Sequence, residues 1–99
     1  MKLGAVIKRL QDERPELERL GAKHALIFGS LARGDATIGS DIDIAVELDV
    51  TRRIGLTEFF KIQDYLQALF SANVDVVGLP IAFRPALDEA IKRDGVAAF

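Results

Sequence analysis

Apolar residues recur along the 99-residue chain in two periods, and the switches between them mark out its elements. Leu3, Val6, Ile7 and Leu10 fall at helical spacing and predict an opening helix that ends before Pro15, because the residue ahead of a proline is pushed out of the helical region. Pro15 suits the first turn of a short second helix, with Glu16 and Glu18 near its positive end and Gly21 closing it. His24 to Phe28 is a mostly apolar run stopped by Gly29, which predicts a buried strand. Residues 41–48 alternate, Ile42, Ile44, Val46 and Leu48 on one face and Asp41, Asp43, Ala45 and Glu47 on the other, which is the period of a strand. From Leu56, the positions Phe59, Phe60, Ile62, Leu66, Leu69 and Phe70 predict an amphipathic helix of roughly four turns. Val74 to Leu79 reads as a third strand. Pro85 opens a last helix, with Asp88 and Glu89 early, Lys92 and Arg93 late and Gly95 as the stop. Phe59, Phe60, Tyr65 and Phe70 read as core.

This order predicts an α/β (α+β) domain, a small mixed sheet flanked by helices, with residues 1–99 forming a single domain. The length admits one core and leaves no room for a second lobe. The chain is 49% hydrophobic and 28% charged, the balance of an ordinary soluble protein. No apolar run approaches the about 18 residues a membrane helix needs, and Met1 to Gly4 begin no signal-peptide pattern, so a cytoplasmic setting without membrane contact is expected. A net charge of −2 supplies no broad basic field, so direct nucleic-acid binding is not expected. There is no cysteine and one histidine, which removes disulfides, thiolate metal sites and thiol nucleophiles.

Chemistry concentrates in residues 29–46. A strand that ends at Gly29 and turns directly into a helix through Ser30 exposes backbone N–H groups beside a hydroxyl, a corner able to cradle phosphate. Equally, Ser30 can cap the helix and Gly29 can relieve a tight turn. From Asp35 to Asp49 there are five acids, Asp35, Asp41, Asp43, Glu47 and Asp49, and no Lys or Arg. Asp41 and Asp43 share a strand face, and Asp75 interrupts the apolar run of the next strand. Carboxylates clustered without His or Cys suit a hard cation such as Mg²⁺ or Mn²⁺, and two such ions form the clamp used in phosphoryl or nucleotidyl displacement. The alternatives are a solvated edge strand for the pair and a strand-end acid for Asp75. Arg33 either reaches a phosphate or anchors its loop to Asp35 or the aspartates. His24, Glu47 and Asp49 read as structural or solvated, and Arg52 and Arg53 as a solvated loop, the alternative being contact with an acidic partner or nucleotide phosphates.

The strings Phe28-Gly29-Ser30-Leu31-Ala32-Arg33-Gly34 and Ser40-Asp41-Ile42-Asp43-Ile44 resemble the signature of the nucleotidyltransferase superfamily that includes DNA polymerase beta, and in particular its minimal nucleotidyltransferase branch. The likeness runs from about Leu20 to the C-terminus. It implies that Gly29 and Ser30 hold a triphosphate, that Asp41 and Asp43 bind two Mg²⁺ (or Mn²⁺) ions, and that Asp75 completes the metal site and helps deprotonate an attacking hydroxyl; Arg33 stands beside these as a phosphate candidate on its residue type and place in the turn. The implied reaction moves a nucleoside monophosphate, AMP from ATP, to a hydroxyl acceptor with release of pyrophosphate. The minimal branch further resembles antitoxins of toxin–antitoxin modules that adenylylate a tyrosine of a helical HEPN-type toxin, which implies such a partner and a homo- or hetero-oligomer. A non-catalytic protein that neutralises its partner by occlusion, and a small-molecule transferase assembled from several copies, are the other readings.

Overall fold

The computed structural model describes residues 2–37, 39–79 and 84–99. In chain order these form α1 (Leu3–Asp12), α2 (Arg14–Leu20), β1 (Ala22–Phe28), α3 (Gly29–Arg33), β2 (Ile42–Leu48), α4 (Leu56–Phe70), β3 (Val74–Leu79), α5 (Pro85–Asp94) and β4 (Val96–Ala97). The strands make one sheet in the order β3-β2-β1-β4. β1 is antiparallel to β2 and to β4, whereas β2 and β3 are parallel. A parallel pair needs a long return connection, and α4 supplies it. The expected mixed sheet with flanking helices is therefore observed, with one addition: the two-residue β4, too short to leave a period in the sequence.

Helices cover both faces of the sheet. On one face Ile27, Ile42, Ile44, Val46 and Val74 bury against Val6 and Leu10 of α1, Leu17 of α2, and Ile62, Leu66 and Phe70 of α4. On the other, Leu26, Phe28, Ala45, Val77 and Leu79 meet Leu87 and Ile91 of α5. The alternation along β2 thus serves two cores, and the face carrying Asp43 is apolar wherever α5 lies over it. β2 is an interior strand, so Asp43 does not belong to the solvated edge that was one reading of the pair.

The corner between α2 and β1 is locked by the β2–α4 loop. Gly21 has φ +115°, and a Cβ there would stand 2.5 Å from Ile54 Cδ1. Asp49 N–H donates to the Gly21 carbonyl at 2.9 Å. The Arg52 guanidinium donates to the carbonyls of Glu18 and Arg19, both at 2.9 Å, filling acceptors that a helix C-terminus leaves open. Arg52 therefore anchors a loop and is not simply solvated. Across the molecule the Tyr65 hydroxyl donates to the Glu13 carboxylate, tying α4 to the junction of α1 and α2. That bond, with some desolvation behind it, pushes the phenol up to about 12.

One core expectation fails. Phe70 is buried, Phe59 and Tyr65 are half-buried, but Phe60 is 52% exposed and Leu56 74%. Leu56 and Phe60 lie one helical turn apart, off the stripe set by Ile62, Leu66 and Phe70. Periodicity alone widened the apolar face beyond what the sheet covers. Among the described residues, no helix is long and apolar enough to cross a membrane.

Ile44 is fully buried at the centre of the larger core. Ile44→Ala is expected to lower the unfolding free energy by about 2–5 kcal/mol, read from urea denaturation, with the sheet signal retained in the folded baseline.

Candidate active site

The site forms where β1 ends and β2 and β3 begin. Phe28, the last residue of β1, is the cross-strand partner of Asp43, and Asp43 is in turn the register partner of Asp75 on β3. Three strands therefore bring Gly29, Asp43 and Asp75 to one end of the sheet, although 46 positions separate the outermost two in sequence. Parallel neighbours lie about 4.8 Å apart, so the two carboxylates leave adjacent backbone positions on the same face.

Gly29 is required twice over. Its φ is +71°, a conformation that costs residues with a side chain. A Cβ at this position would also stand 2.1 Å from Asp43 Oδ2 and 3.0 Å from its Cγ. The Asp43 carboxylate occupies the space that the missing side chain leaves. α3 begins at Gly29 itself, with Phe28 as its capping residue and no side-chain cap. Capping therefore does not account for Ser30.

Asp41 stands just ahead of β2 and is exposed, whereas Asp43 is half-buried. Burial raises the Asp43 carboxyl above the ordinary carboxylate value, and the charges of Asp75 and then Asp41 push it further in the same direction, against a smaller opposing pull from Arg33. The three acids thus share one field. Among the described residues, however, no three His, Cys, Asp or Glu side chains converge closely enough to enclose a metal ion. Arg33 directs its Nε to Asp35 at 3.4 Å while remaining largely exposed, the loop-anchoring alternative. His24 lies 3.9 Å from Glu47, two alternate positions or more along the sheet from Asp43, outside the site.

One site neighbour has no signal in the sequence. Asn73 Nδ2 donates to Asp41 Oδ1 at 3.1 Å. An asparagine between a helix and a strand is an ordinary turn residue, and nothing in the local pattern ties it to a carboxylate 32 positions earlier. Two cavities flank the acids. One of about 650 Å³ is bordered by Asp41, Asn73, Ser40 and Leu31; the other, about 230 Å³, lies between α3 and α5 against Gly29, Arg33, Leu87 and Asp94.

A family model for the nucleotidyltransferase domain matches residues 7–97. The chain belongs to this nucleotidyltransferase family. A candidate protein adenylyltransferase of Methanocaldococcus jannaschii is 33% identical over 96 residues, covering 95% of this chain and 96% of that protein. The protein adenylyltransferase MntA of Thermococcus cleftensis is 38% identical over 60 residues, 61% of this chain and 59% of that one. Among solved structures, a candidate minimal nucleotidyltransferase superposes with a TM-score of 0.78 at 30% identity, over 97% of this chain and 95% of that chain. A toxin–antitoxin crystal structure with AMP-PNP shares the fold at a TM-score of 0.69 and 24% identity, over 100% and 73% of the two chains.

Two outcomes follow for this nucleotidyltransferase. Gly34→Ala, at φ +82° with open space around it, carries only the backbone strain, about 1–3 kcal/mol, whereas Gly29→Ala adds to the same strain a methyl group on the Asp43 carboxylate and is expected to destabilise the fold by more; paired thermal melts measure the difference. The raised carboxyl of Asp43 means that the folded protein holds this proton more tightly than the unfolded chain does, so its contribution to stability falls as pH rises through the folded value. Asp43→Asn is therefore expected to be more stable than the wild type at neutral pH in metal-free buffer, with the gap closing as pH is lowered toward the unfolded carboxylate range.

Proposed function

We propose that this chain is a protein adenylyltransferase that takes ATP as substrate and moves AMP to a hydroxyl group, with pyrophosphate leaving. The observation that carries this reading is the seating of Asp43 in the space over Gly29 with Asp75 as its register partner, which joins the two motifs of the family at one end of the sheet. The names of the relatives in Methanocaldococcus jannaschii and Thermococcus cleftensis support the protein acceptor.

The donor set fits a hard divalent cation in type, because Asp41, Asp43 and Asp75 offer only carboxylate oxygens. Burial first, and then the charges of Asp75 and Asp41, raise the Asp43 carboxyl, and positive charge at this place offsets both the lost hydration and the repulsion. As they stand the three side chains do not enclose an ion; drawn together by the cation and the triphosphate oxygens, they would hold Mg²⁺ or Mn²⁺ as a pair of ions. Bound there, such ions polarise the α-phosphate, stabilise the departing pyrophosphate and lower the pKa of the acceptor hydroxyl. Gly29 makes room for the Asp43 carboxylate and turns the chain into α3, and Ser30 beside it donates its hydroxyl to a phosphate oxygen. Arg33, whose charge already acts on Asp43, exchanges its contact with Asp35 for the incoming phosphates. Asp75, exposed on the edge strand, accepts the proton that the attacking hydroxyl releases. The hydroxyl oxygen forms the new bond to phosphorus, and the bond from phosphorus to the bridging oxygen of pyrophosphate breaks.

The acceptor in this reading is a tyrosine of a helical HEPN-type toxin, which makes the chain the antitoxin of a two-protein module working in the cytoplasm, where ATP is supplied. The fold shared with the toxin–antitoxin structure is consistent with that pairing. The test uses α-labelled ATP, Mg²⁺ and the product of the neighbouring gene. Label is expected on a tyrosine of the partner, and Asp41→Asn or Asp43→Asn is expected to reduce transfer by a factor of about 10² or more while both variants remain folded. Full neutralisation of the partner by Asp43→Asn without label would instead establish occlusion.

A further inference from the structure

We infer that Asn73 is a positioning residue for Asp41: its side-chain amide fixes the carboxylate in the orientation a divalent cation meets, and does so without adding a charge that competes with the cation. The inference rests on the reading of Asp41 as an ion ligand.

The two aspartates of β2 are held in different ways. Asp43 is half-buried and seated over Gly29, so packing restricts its rotamers. Asp41 is exposed and precedes the strand, and among the described residues its side-chain hydrogen bond comes from Asn73 and not from its own segment. Asn73 supplies the restraint from the start of the neighbouring strand, β3. Its backbone carbonyl accepts from Ile42 N–H at 3.0 Å, and the next pair, Ile42 with Val74, is in parallel register. The ladder itself therefore sets Asn73 beside Asp41. With the backbone fixed, Asn73 Nδ2 reaches Asp41 Oδ1 at 3.1 Å. The approach depends on Ser71, the one described non-glycine residue with positive φ, at +48°, which ends α4 in a left-handed turn and sends the chain back toward β2.

The residue type matters as much as the geometry. An amide bonded to one carboxylate oxygen leaves the other oxygen with its lone pairs available. Lysine or arginine in the same place would also hold Asp41, but would add a positive charge at the point where a cation has to bind. Aspartate would repel Asp41 and add to the repulsion that already raises Asp43. A neutral donor of short reach satisfies both conditions. Groups that orient a metal ligand from behind typically change metal affinity by about 10- to 100-fold when removed, and an exposed single hydrogen bond belongs at the lower end.

The test measures Mn²⁺ binding to the full chain without nucleotide, by the electron paramagnetic resonance signal of free Mn²⁺, alongside label transfer as a function of Mg²⁺. Asn73→Ala is expected to weaken Mn²⁺ binding about tenfold, with a thermal midpoint close to that of the wild type. Its half-saturating Mg²⁺ for transfer is expected to rise by a similar factor, and its rate at saturating Mg²⁺ to return to nearly the wild-type value. Asn73→Lys, which keeps a donor but adds charge, is expected to bind Mn²⁺ more weakly than Asn73→Ala. Wild-type Mn²⁺ affinity in Asn73→Ala, or a lowered rate at every Mg²⁺ concentration with unchanged affinity, overturns the inference alone. Absence of Mn²⁺ binding and of transfer in the wild-type protein overturns the reading of the site, and this inference with it.

Discussion

Everything at the functional end of this molecule depends on a carboxylate resting where a side chain is missing. Asp43 Oδ2 occupies the space over Gly29 so closely that a Cβ would stand 2.1 Å from it. The contact requires β1 to stop at Phe28, directly across from Asp43, and requires the next residue to turn into α3 with a left-handed backbone. It also leaves a negative charge partly desolvated beside two others. The cost is visible in the raised Asp43 carboxyl. A fold selected only for stability would not keep that arrangement, because a neutral side chain would fit the same space without the repulsion.

The surrounding structure holds this arrangement rigidly. β2 lies in the sheet interior and buries Ile42, Ile44 and Val46 on one face, so its register cannot slip by one residue without moving those side chains to the opposite face. The same register fixes the outward direction of Asp43 and the alignment of Asp75 on β3. At the far end of β2, Arg52 and Gly21 lock the following loop to α2. The strand that carries the acids is thus clamped by a hydrophobic core along its length and by hydrogen bonds beyond its end. α5 covers the upper part of the acidic face through Leu87 and Ile91 and leaves the end with the aspartates open.

Much of this was legible from the residues. The change from a period of 3.6 to a period of 2 located the helices and the three longer strands, and alternation from Asp41 to Leu48 placed the acids opposite the core side chains. The glycine before Ser30 marked the end of β1. Less legible were features decided by partners distant in sequence. Phe60 and Leu56 are strongly apolar like Ile62 and Leu66, yet remain exposed because none of the described elements lies over that part of α4. Arg52 looks like a solvated loop cation until α2 ends beside it. β4 exists only because Leu26 and Ile27 offer it a ladder, and Asn73 is an unremarkable turn residue until the parallel pairing of β2 and β3 brings it to Asp41.

The sequence by itself determined which residues have side chains suited to the proposed chemistry and which face of each element they occupy, because both follow from residue type and local period. Only the tertiary structure decided their company: that Asp75 stands beside Asp43, that Asp43 sits over Gly29, that Asn73 reaches Asp41, and that β2 is interior. The reason is physical. Period is a property of a few consecutive residues, whereas strand order and register come from burying the faces of separate elements together, which no single segment specifies.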